Sequence, residues 1–587
     1  MIRNEEADLL SIMASFYHAL KLDVSTCCYI MIIPFIICTL QLFFSFKILN
    51  KILMVYTSII IIIISLITIV ELGVFSEWLT KLHYKSLLYL LNPKEIFQTA
   101  QTGLSILLIA ILAVIVTFSI YIYKKFFKVI VNKITLNYLF AIFSILVIPA
   151  FIFVGIRGGV KPIPISQSEV FYSKHSVLNF AAMNSLWNLA YSITHNYEIM
   201  EENPFAFYDK NEVKQMVEKI HETPTDSVVS VLKTKRPNIV ILILESWSAN
   251  IIESISGEKG FTPEFHKLQK EGLLFTNFYA CGTRSQQAIS AIFSGFPSTP
   301  LVDITESIEK YSKLPNMTSK LKKNGYSTSF YFGGELSYGN IKSYLMSNDF
   351  DKIVEDDDFD DSYPKGKLGV HDEFVYARHI EDLNNEKQPF LSSVFTLSSH
   401  PPYDMPMKNK KFTEGSEKNY LNSIYYADGC LGKYFEEAKK QDWYSNTLFI
   451  ILADHSRSTH LHLGYGEPGH YKIPLLLYGE VIKDEFKGKI NKKIGSQHDI
   501  PATLLSQVEI SFYEFSWSKN LLNTHSPDFA YYSFVEGLGW VRPDNYFVWD
   551  KKIHGYYSEH LQPELKDSII KEGKSYLQHL FQTFMDM

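Results

Sequence analysis

Asn238-Ile-Val-Ile-Leu-Ile-Leu-Glu245-Ser-Trp-Ser248 carries six consecutive aliphatic residues, four of them β-branched, and the run stops at an acid. A short apolar run with polar ends reads as a strand buried on both faces, the kind found inside a parallel sheet. Open α/β sheets place their ligands at the C-terminal ends of such strands, so Glu245 is a candidate site residue. The pattern recurs in Asn446-Thr-Leu-Phe-Ile-Ile-Leu-Ala-Asp454-His455, where a second buried strand delivers Asp454 and His455 to its end. Two carboxylates and an imidazole make a mixed oxygen and nitrogen donor set that suits a divalent metal such as Mn²⁺ or Zn²⁺.

A third element is Cys281-Gly-Thr283-Arg-Ser285-Gln-Gln-Ala-Ile-Ser-Ala-Ile-Phe-Ser-Gly295-Phe-Pro297. It follows an apolar run and opens a helical one. A hydroxyl at a helix N-terminus sits beside free N–H groups and the positive end of the dipole, a setting that favours phosphate. A neighbouring metal would lower its pKa and make it a nucleophile. Ser and Thr are also preferred there as plain caps, so the residues alone leave both readings open.

Between these elements, helical and apolar extended segments alternate. Strands are expected at 273–279, 327–332, 390–397, 448–453 and 473–478, and helices at 263–271, 285–293, 317–324, 419–441 and 499–507. Such alternation predicts a mostly parallel sheet flanked by helices. The acid-rich segment Val354–Tyr363 reads as a solvated loop.

The first 160 residues have a different character. Apolar runs at about 25–46, 52–75, 101–123 and 135–156 each approach the ~20 residues that a membrane-spanning helix needs. Lys47 and Lys51 lie between the first two, and Lys124, Lys125, Lys128 and Lys133 between the last two. The positive-inside rule puts both loops in the cytoplasm. The loop at 76–100, the N-terminus and everything after Arg157 then lie outside, with Ile12–Leu20 in the interface; a further span upstream of residue 1 is expected. Val177–Tyr191 reads as one amphipathic helix along the membrane surface, Asp209–Leu232 as a polar helix, and Lys233-Thr-Lys-Arg-Pro237 as a linker.

The net charge of −6 gives no case for a nucleic-acid partner, and five cysteines, three of them in the first apolar run, make no disulfide framework. A Cys281–Cys430 bridge stays open at this level.

Taken in order, Glu after the first strand, Gly-Thr-Arg-Ser opening a helix that ends Ser-Gly-Phe-Pro, and Ala-Asp-His after a late strand resemble the alkaline phosphatase/sulfatase superfamily. With the membrane segment, the chain resembles its lipoteichoic acid synthase branch, and next to that the phosphoethanolamine transferases. The resemblance implies one divalent metal, Mn²⁺ or Zn²⁺ with Mg²⁺ a further candidate, held by Glu245, Ser285, Asp454 and His455. Ser285 matches the nucleophile position counted back from Ser294-Gly295, and Thr283 is the alternative nucleophile. The sulfatase Cys-x-Pro-Ser-Arg signature is missing, which disfavours sulfate ester hydrolysis. His400, in Leu397-Ser-Ser-His400-Pro-Pro-Tyr403, and His470, in Gly469-His-Tyr-Lys-Ile-Pro474, resemble histidines that contact the substrate phosphate, and Glu335 and Asn340 fall in the substrate-side turn. Gln497-His498-Asp499 resembles a late structural motif.

The implied architecture is a polytopic α-helical membrane domain of about four helices (1–157), a juxtamembrane helical connector (158–235), a sulfatase-like α/β catalytic domain (236–525) and C-terminal strands and a helix completing it (526–587). The implied activity is transfer of a phosphoglycerol or phosphoethanolamine group from a membrane phospholipid to an extracytoplasmic glycan or lipid acceptor through a covalent Ser/Thr intermediate. The implied location is a bacterial inner membrane, with the catalytic domain outside. A membrane-anchored phosphodiesterase or sulfatase-type hydrolase is the alternative. The donor head group, the acceptor and the oligomeric state are not encoded in these motifs.

Overall fold

The computed structural model describes residues 8–44, 47–78, 80–84, 86, 102–126, 138–196, 202–223 and 227–587, and the chain divides into two compact units, 1–202 and 203–587. The connector expected at 158–235 is therefore shared between them.

Among the described residues of the first unit, three helices are long and apolar enough to cross a membrane: Leu9–Phe43, the Lys47–Phe75 part of Lys47–Trp78, and Ile106–Phe126 within Thr102–Phe126. The fourth expected span falls on Tyr138–Arg157, whose described apolar part, Ala141–Arg157, is shorter. The first helix starts at Leu9, well before the expected 25, because Asp8 caps it by accepting from the Ser11 N–H at 2.8 Å and no Gly or Pro interrupts the residues that follow until Pro34. Ile12–Leu20 thus belongs to one long helix. Most of the loop expected at 76–100, with Lys128 and Lys133, lies outside the described residues. The helix expected at 177–191 is two helices, Ser176–Ala182 and Ser185–Asn196. The break is held by polar contacts. The Met183 carbonyl accepts from Lys81 Nζ at 2.8 Å, Asn184 Oδ1 accepts from the Trp187 N–H at 2.9 Å, and Asn184 Nδ2 donates to Asp23 at 2.7 Å.

The second unit is built on an eight-stranded sheet. Its strands are β1 (Asn238–Leu244), β2 (Leu273–Tyr279), β3 (Ser327–Phe332), β4 (Lys352–Val354), β5 (Phe390–Phe395), β6 (Thr447–Ala453), β7 (Lys472–Tyr478) and β8 (Lys489–Ser496), in the order β4-β3-β5-β1-β6-β7-β2-β8. Only β7 pairs antiparallel to its neighbours. Every residue of β1, β5 and β6 is buried. Each aliphatic side chain fully withdrawn from water there contributes about 1.5–3 kcal/mol, so these three strands form the apolar floor of the sheet. Because they are parallel, their C-terminal ends share one edge, and so do those of β2 and β8.

Four antiparallel strands follow: β9 (Ala530–Phe534), β10 (Gly537–Arg542), β11 (Asn545–Asp550) and β12 (Gly555–His560), ordered β12-β11-β10-β9, and then the helix Lys566–Asp586. This second sheet meets the first through a cluster in which Tyr471 and Tyr532 stack at 3.7 Å beside Tyr279 and Ile494. The polar helix expected at 209–232 spans only Lys210–His221, stopping ahead of Pro224, and Val228 and Leu232 instead make bridges to Asn523 and Ile482. The acid-rich segment is not a free loop. Val354 ends β4, Asp356–Asp358 is a 3₁₀ turn, and Glu355 pairs with Lys342 and accepts from the Leu336 N–H at 3.0 Å.

Beneath the shared edge lies a buried ion pair, Lys519 Nζ to Asp499 at 2.6 Å. Asp499 also accepts from the Ser496 and Lys519 N–H groups. Burial alone would raise its carboxyl, but Lys519 and His498 outweigh that and hold it below the ordinary 3.8. Its contribution to stability is therefore present above about pH 4 and lost as pH falls further. Lys519→Met leaves the carboxylate buried without its counter-charge, and a loss of about 3–5 kcal/mol is expected. The double variant Lys519→Met/Asp499→Asn should recover much of it. Equilibrium unfolding of the full chain in detergent at pH 7 checks this, and an equal loss in single and double variants would refute it.

Candidate active site

Register brings the acids together. Leu244 pairs with Ala453 across β1 and β6, and the Asp454 N–H donates to the Leu244 carbonyl at 3.2 Å. Glu245 and Asp454 are therefore side by side, each almost completely buried. With His455 they are the one group of three metal-competent side chains found among the described residues, with ligand atoms within 4.8 Å of one another. Burial first, and the Asp454 charge second, push the Glu245 carboxyl well above its usual range. Two carboxylates withdrawn from water together require a cation or a proton. The donor set fits a divalent metal.

The histidine is set up for that role. His455 Nδ1 lies 3.0 Å from the Ser456 carbonyl, which can only accept, so Nδ1 donates there and Nε2 is turned to the acids, 3.3 Å from Asp454 Oδ2. Ser246, between the strand and the loop, has φ 59°, which costs a residue with a side chain roughly 1–2 kcal/mol. Three contacts hold it there: its N–H donates to Asp454 Oδ1 and its Oγ to Glu245 Oε1, at 2.8 and 2.7 Å, and its carbonyl accepts from the Tyr420 hydroxyl at 2.7 Å.

Of the two candidate nucleophiles, the structure brings Ser285 to the acids. Its Oγ donates to Asp454 Oδ2 at 2.8 Å from the first position of the helix Ser285–Ser294. Thr283 is engaged through its backbone N–H, which donates to Gln287 Oε1 at 2.9 Å. Gln287 and Gln286 both donate to Asp303, at 2.7 and 2.8 Å, clamping the start of the helix. Gly282 is required here, since a Cβ would come within 2.1 Å of Gln287 Oε1. Cys281 and Cys430 are unbridged. Burial pushes the Cys281 thiol up to about 12, and it sits 3.1 Å from His498 Nδ1, so it acts as a packed neutral group.

Gln497 joins the two halves of the site. Its Oε1 accepts from the Cys281 N–H at 2.9 Å, and its Nε2 donates to the Ala453 carbonyl at 2.8 Å and to that of Asp454. Asp372, another buried acid, accepts from the Leu397 and Ser398 N–H groups at 2.7 and 3.1 Å and so shapes the loop that bears His400. His400 is exposed, with Nδ1 2.7 Å from the Pro401 carbonyl, and the preceding Ser399 hydroxyl donates to the Glu245 carbonyl at 2.6 Å. His470 is buried, with Nδ1 3.0 Å from the Leu463 carbonyl; burial lowers its pKa against the opposing pull of that hydrogen bond. Both histidines therefore keep Nε2 for other partners.

Glu335 and Asn340 are not part of the three-residue cluster. Glu335 accepts from the Ser337 hydroxyl at 2.9 Å, and Asn340 is buried in a left-handed conformation at the start of the helix Ile341–Ser347. Their turn packs on the helix that starts at Ser285, where Gly339 lies against the side chain of Gln286. The motifs alone did not single out Ser246, Asp303, Asp372, Tyr403, Tyr420 or Arg457. A polar residue directly after a strand-end acid was the available signal for Ser246, while Asp303 and Asp372 act through contacts distant in sequence.

If the cluster holds a divalent metal, adding Mn²⁺ should raise the thermal midpoint of metal-stripped protein, by the equivalent of about 2.7 kcal/mol at 100 times Kd. In the metal-free protein the raised Glu245 pKa means its bound proton stabilises the fold fully below the ordinary 4.5, and that contribution fades as pH rises through the folded value. The Mn²⁺ effect should therefore grow with pH over the same interval. A Mn²⁺ shift that survives in Asp454→Asn would contradict the assignment.

The sulfatase family model matches residues 237–510. Lipoteichoic acid synthase 1 of Bacillus subtilis is 27% identical over 322 residues, 49% of this chain and 49% of its own length. The chain thus spans about half the length of the curated relatives it matches. A crystal structure of a protein in the alkaline phosphatase superfamily from Vibrio parahaemolyticus has a TM-score of 0.56 at 27% identity, covering 65% of this chain and 97% of that one. The lipoteichoic acid synthase LtaP from Listeria monocytogenes shares the fold, with a TM-score of 0.53 at 20% identity over 64% of this chain and 97% of that one. With a metal-competent strand-end cluster and a serine hydroxyl at the first position of a helix beside it, the chain is a lipoteichoic acid synthase-like member of the alkaline phosphatase/sulfatase superfamily.

Proposed function

We propose that the protein transfers a phospho-alcohol group, phosphoglycerol or phosphoethanolamine, from a membrane phospholipid to a glycan or lipid acceptor outside the cytoplasm. The observation that carries this is the Ser285 hydroxyl at a helix N-terminus, 2.8 Å from Asp454 in the acid–imidazole cluster. Glu245, Asp454 and His455, with Ser285, would hold one divalent metal, Mn²⁺ or Zn²⁺. When bound, such an ion supplies Lewis acidity toward a phosphoryl oxygen and lowers the pKa of a coordinated hydroxyl.

The chain's own residues do the rest. Ser285 Oγ attacks phosphorus and the bond from phosphorus to the diacylglycerol oxygen breaks, leaving a phospho-alcohol ester on Ser285. Free backbone N–H groups at the helix start stabilise the negative charge. His470, tethered through Nδ1, offers Nε2 for proton exchange with the leaving or entering oxygen, and His400 offers a second imidazole from the neighbouring loop. An acceptor hydroxyl then attacks the phosphoserine ester and frees Ser285. Membrane helices in the same chain confine the enzyme to the surface that holds its lipid donor, which raises the donor's effective concentration.

Intact-mass analysis of the full chain, incubated with Mn²⁺ and either phosphatidylglycerol or phosphatidylethanolamine vesicles, tests this reading. One phospho-alcohol adduct is expected, lost in Ser285→Ala and kept in Thr283→Ala, and its mass identifies the donor. Release of free phospho-alcohol with no transfer to any offered hydroxyl would favour a phosphodiesterase instead.

A further inference from the structure

Arg457 stands two residues beyond His455, on the loop that leaves β6 at the shared edge. Its guanidinium carbon lies 5.4 Å from the centre of the Tyr403 ring and 5.8 Å from that of Tyr420. The Tyr420 hydroxyl is committed to the Ser246 carbonyl, which ties this aromatic pair to the residue after Glu245. Arg457 Nε is buried and has no hydrogen-bond partner, and no ion pair joins its side chain to an acid among the described residues. The Tyr403 hydroxyl is also buried without a partner. Tyr403 is held in place by its own backbone, with φ 63° and its N–H donating to the His400 carbonyl at 3.0 Å.

A buried donor without an acceptor costs roughly 1–3 kcal/mol, and more when it is charged. Two such donors, on side chains packed against each other and with Arg457 two residues beyond His455, call for an acceptor from outside the chain. Charge narrows its identity. A divalent ion would balance the Glu245 and Asp454 carboxylates, so the single positive charge of Arg457 is left to match a single negative one. A phosphodiester carries one negative charge, and a guanidinium presents a planar fork of donors that suits its two non-bridging oxygens.

We infer that Arg457, with the Tyr403 hydroxyl, binds the anionic phosphoryl oxygens of a phosphodiester substrate, and that this pair sets affinity for the diester group. The assignment rests on the transferase reading for its reaction but not for its test. The full chain in detergent, loaded with Mn²⁺, is titrated with glycerophosphoglycerol, a soluble phosphodiester, in a calorimeter. Arg457→Gln should weaken binding at least tenfold, Arg457→Lys less, and Tyr403→Phe about threefold, with Mn²⁺ affinity within twofold of the parent in all three. Parent-like diester affinity in Arg457→Gln, loss of Mn²⁺ affinity in that variant, or absence of diester binding by the parent would each overturn the inference. Adduct formation on Ser285, read separately by mass, bears on the transferase reading alone.

Discussion

Glu245 and Asp454 are neighbours because two buried parallel strands run in register and both end in an acid. Bringing two carboxylates out of water side by side is unfavourable unless something positive joins them, and much of the surrounding structure can be traced to that conflict. Ser246 is forced into a left-handed turn so that its N–H and hydroxyl reach the two carboxylates. The Ser285 hydroxyl adds a third donor to the same pair. None of these groups neutralises the charge. They satisfy lone pairs and leave the negative charge for a proton or a cation to balance.

The positions of these groups come from two independent scaffolds. The acids ride on the apolar centre of the sheet, where burial of β1, β5 and β6 leaves little freedom. Ser285 comes from a loop after β2, two strands away from β6, and depends on polar clamps: Asp303 on Gln286 and Gln287, and Gln497 between Cys281 and the end of β6. Gln497 is in turn placed by the Ser496–Asp499 turn above the Lys519 ion pair. The distance from Ser285 to the acids thus depends on side-chain amides and one buried salt bridge as well as on the apolar face of its helix, and polar networks of this kind hold a single geometry only when every member is satisfied.

How much of this was legible beforehand follows from the physics of each signal. β1 and β6 are continuous apolar runs, which only a strand buried on both faces requires, and they read correctly to within a residue. β8, Lys489-Ile-Asn-Lys-Lys-Ile-Gly-Ser496, sits at the sheet edge with its first half largely in solvent, so its lysines hid it. The 177–191 helix was read through its break because apolar spacing continues across Met183 and Asn184, while the break itself is made by Lys81 and Asp23 from distant parts of the chain. The same holds at the site. Glu245, Asp454, His455 and Ser285 announce themselves by their position after a strand or before a helix, whereas Asp303, Asp372 and Arg457 matter through partners well outside their own local segment.

The three histidines add a final constraint. His400, His455 and His470 each direct Nδ1 at a backbone carbonyl, of Pro401, Ser456 and Leu463. A carbonyl cannot donate, so each contact fixes the proton on Nδ1 and reserves Nε2 for the site. Backbone carbonyls do not titrate, so this orientation of the three rings needs no acidic partner. Glu245, Asp454 and Asp372 are already buried within electrostatic reach of one another, so a further carboxylate placed to orient an imidazole would deepen the local negative potential. Orientation by carbonyls avoids that cost and leaves each Nε2 turned away from its tether.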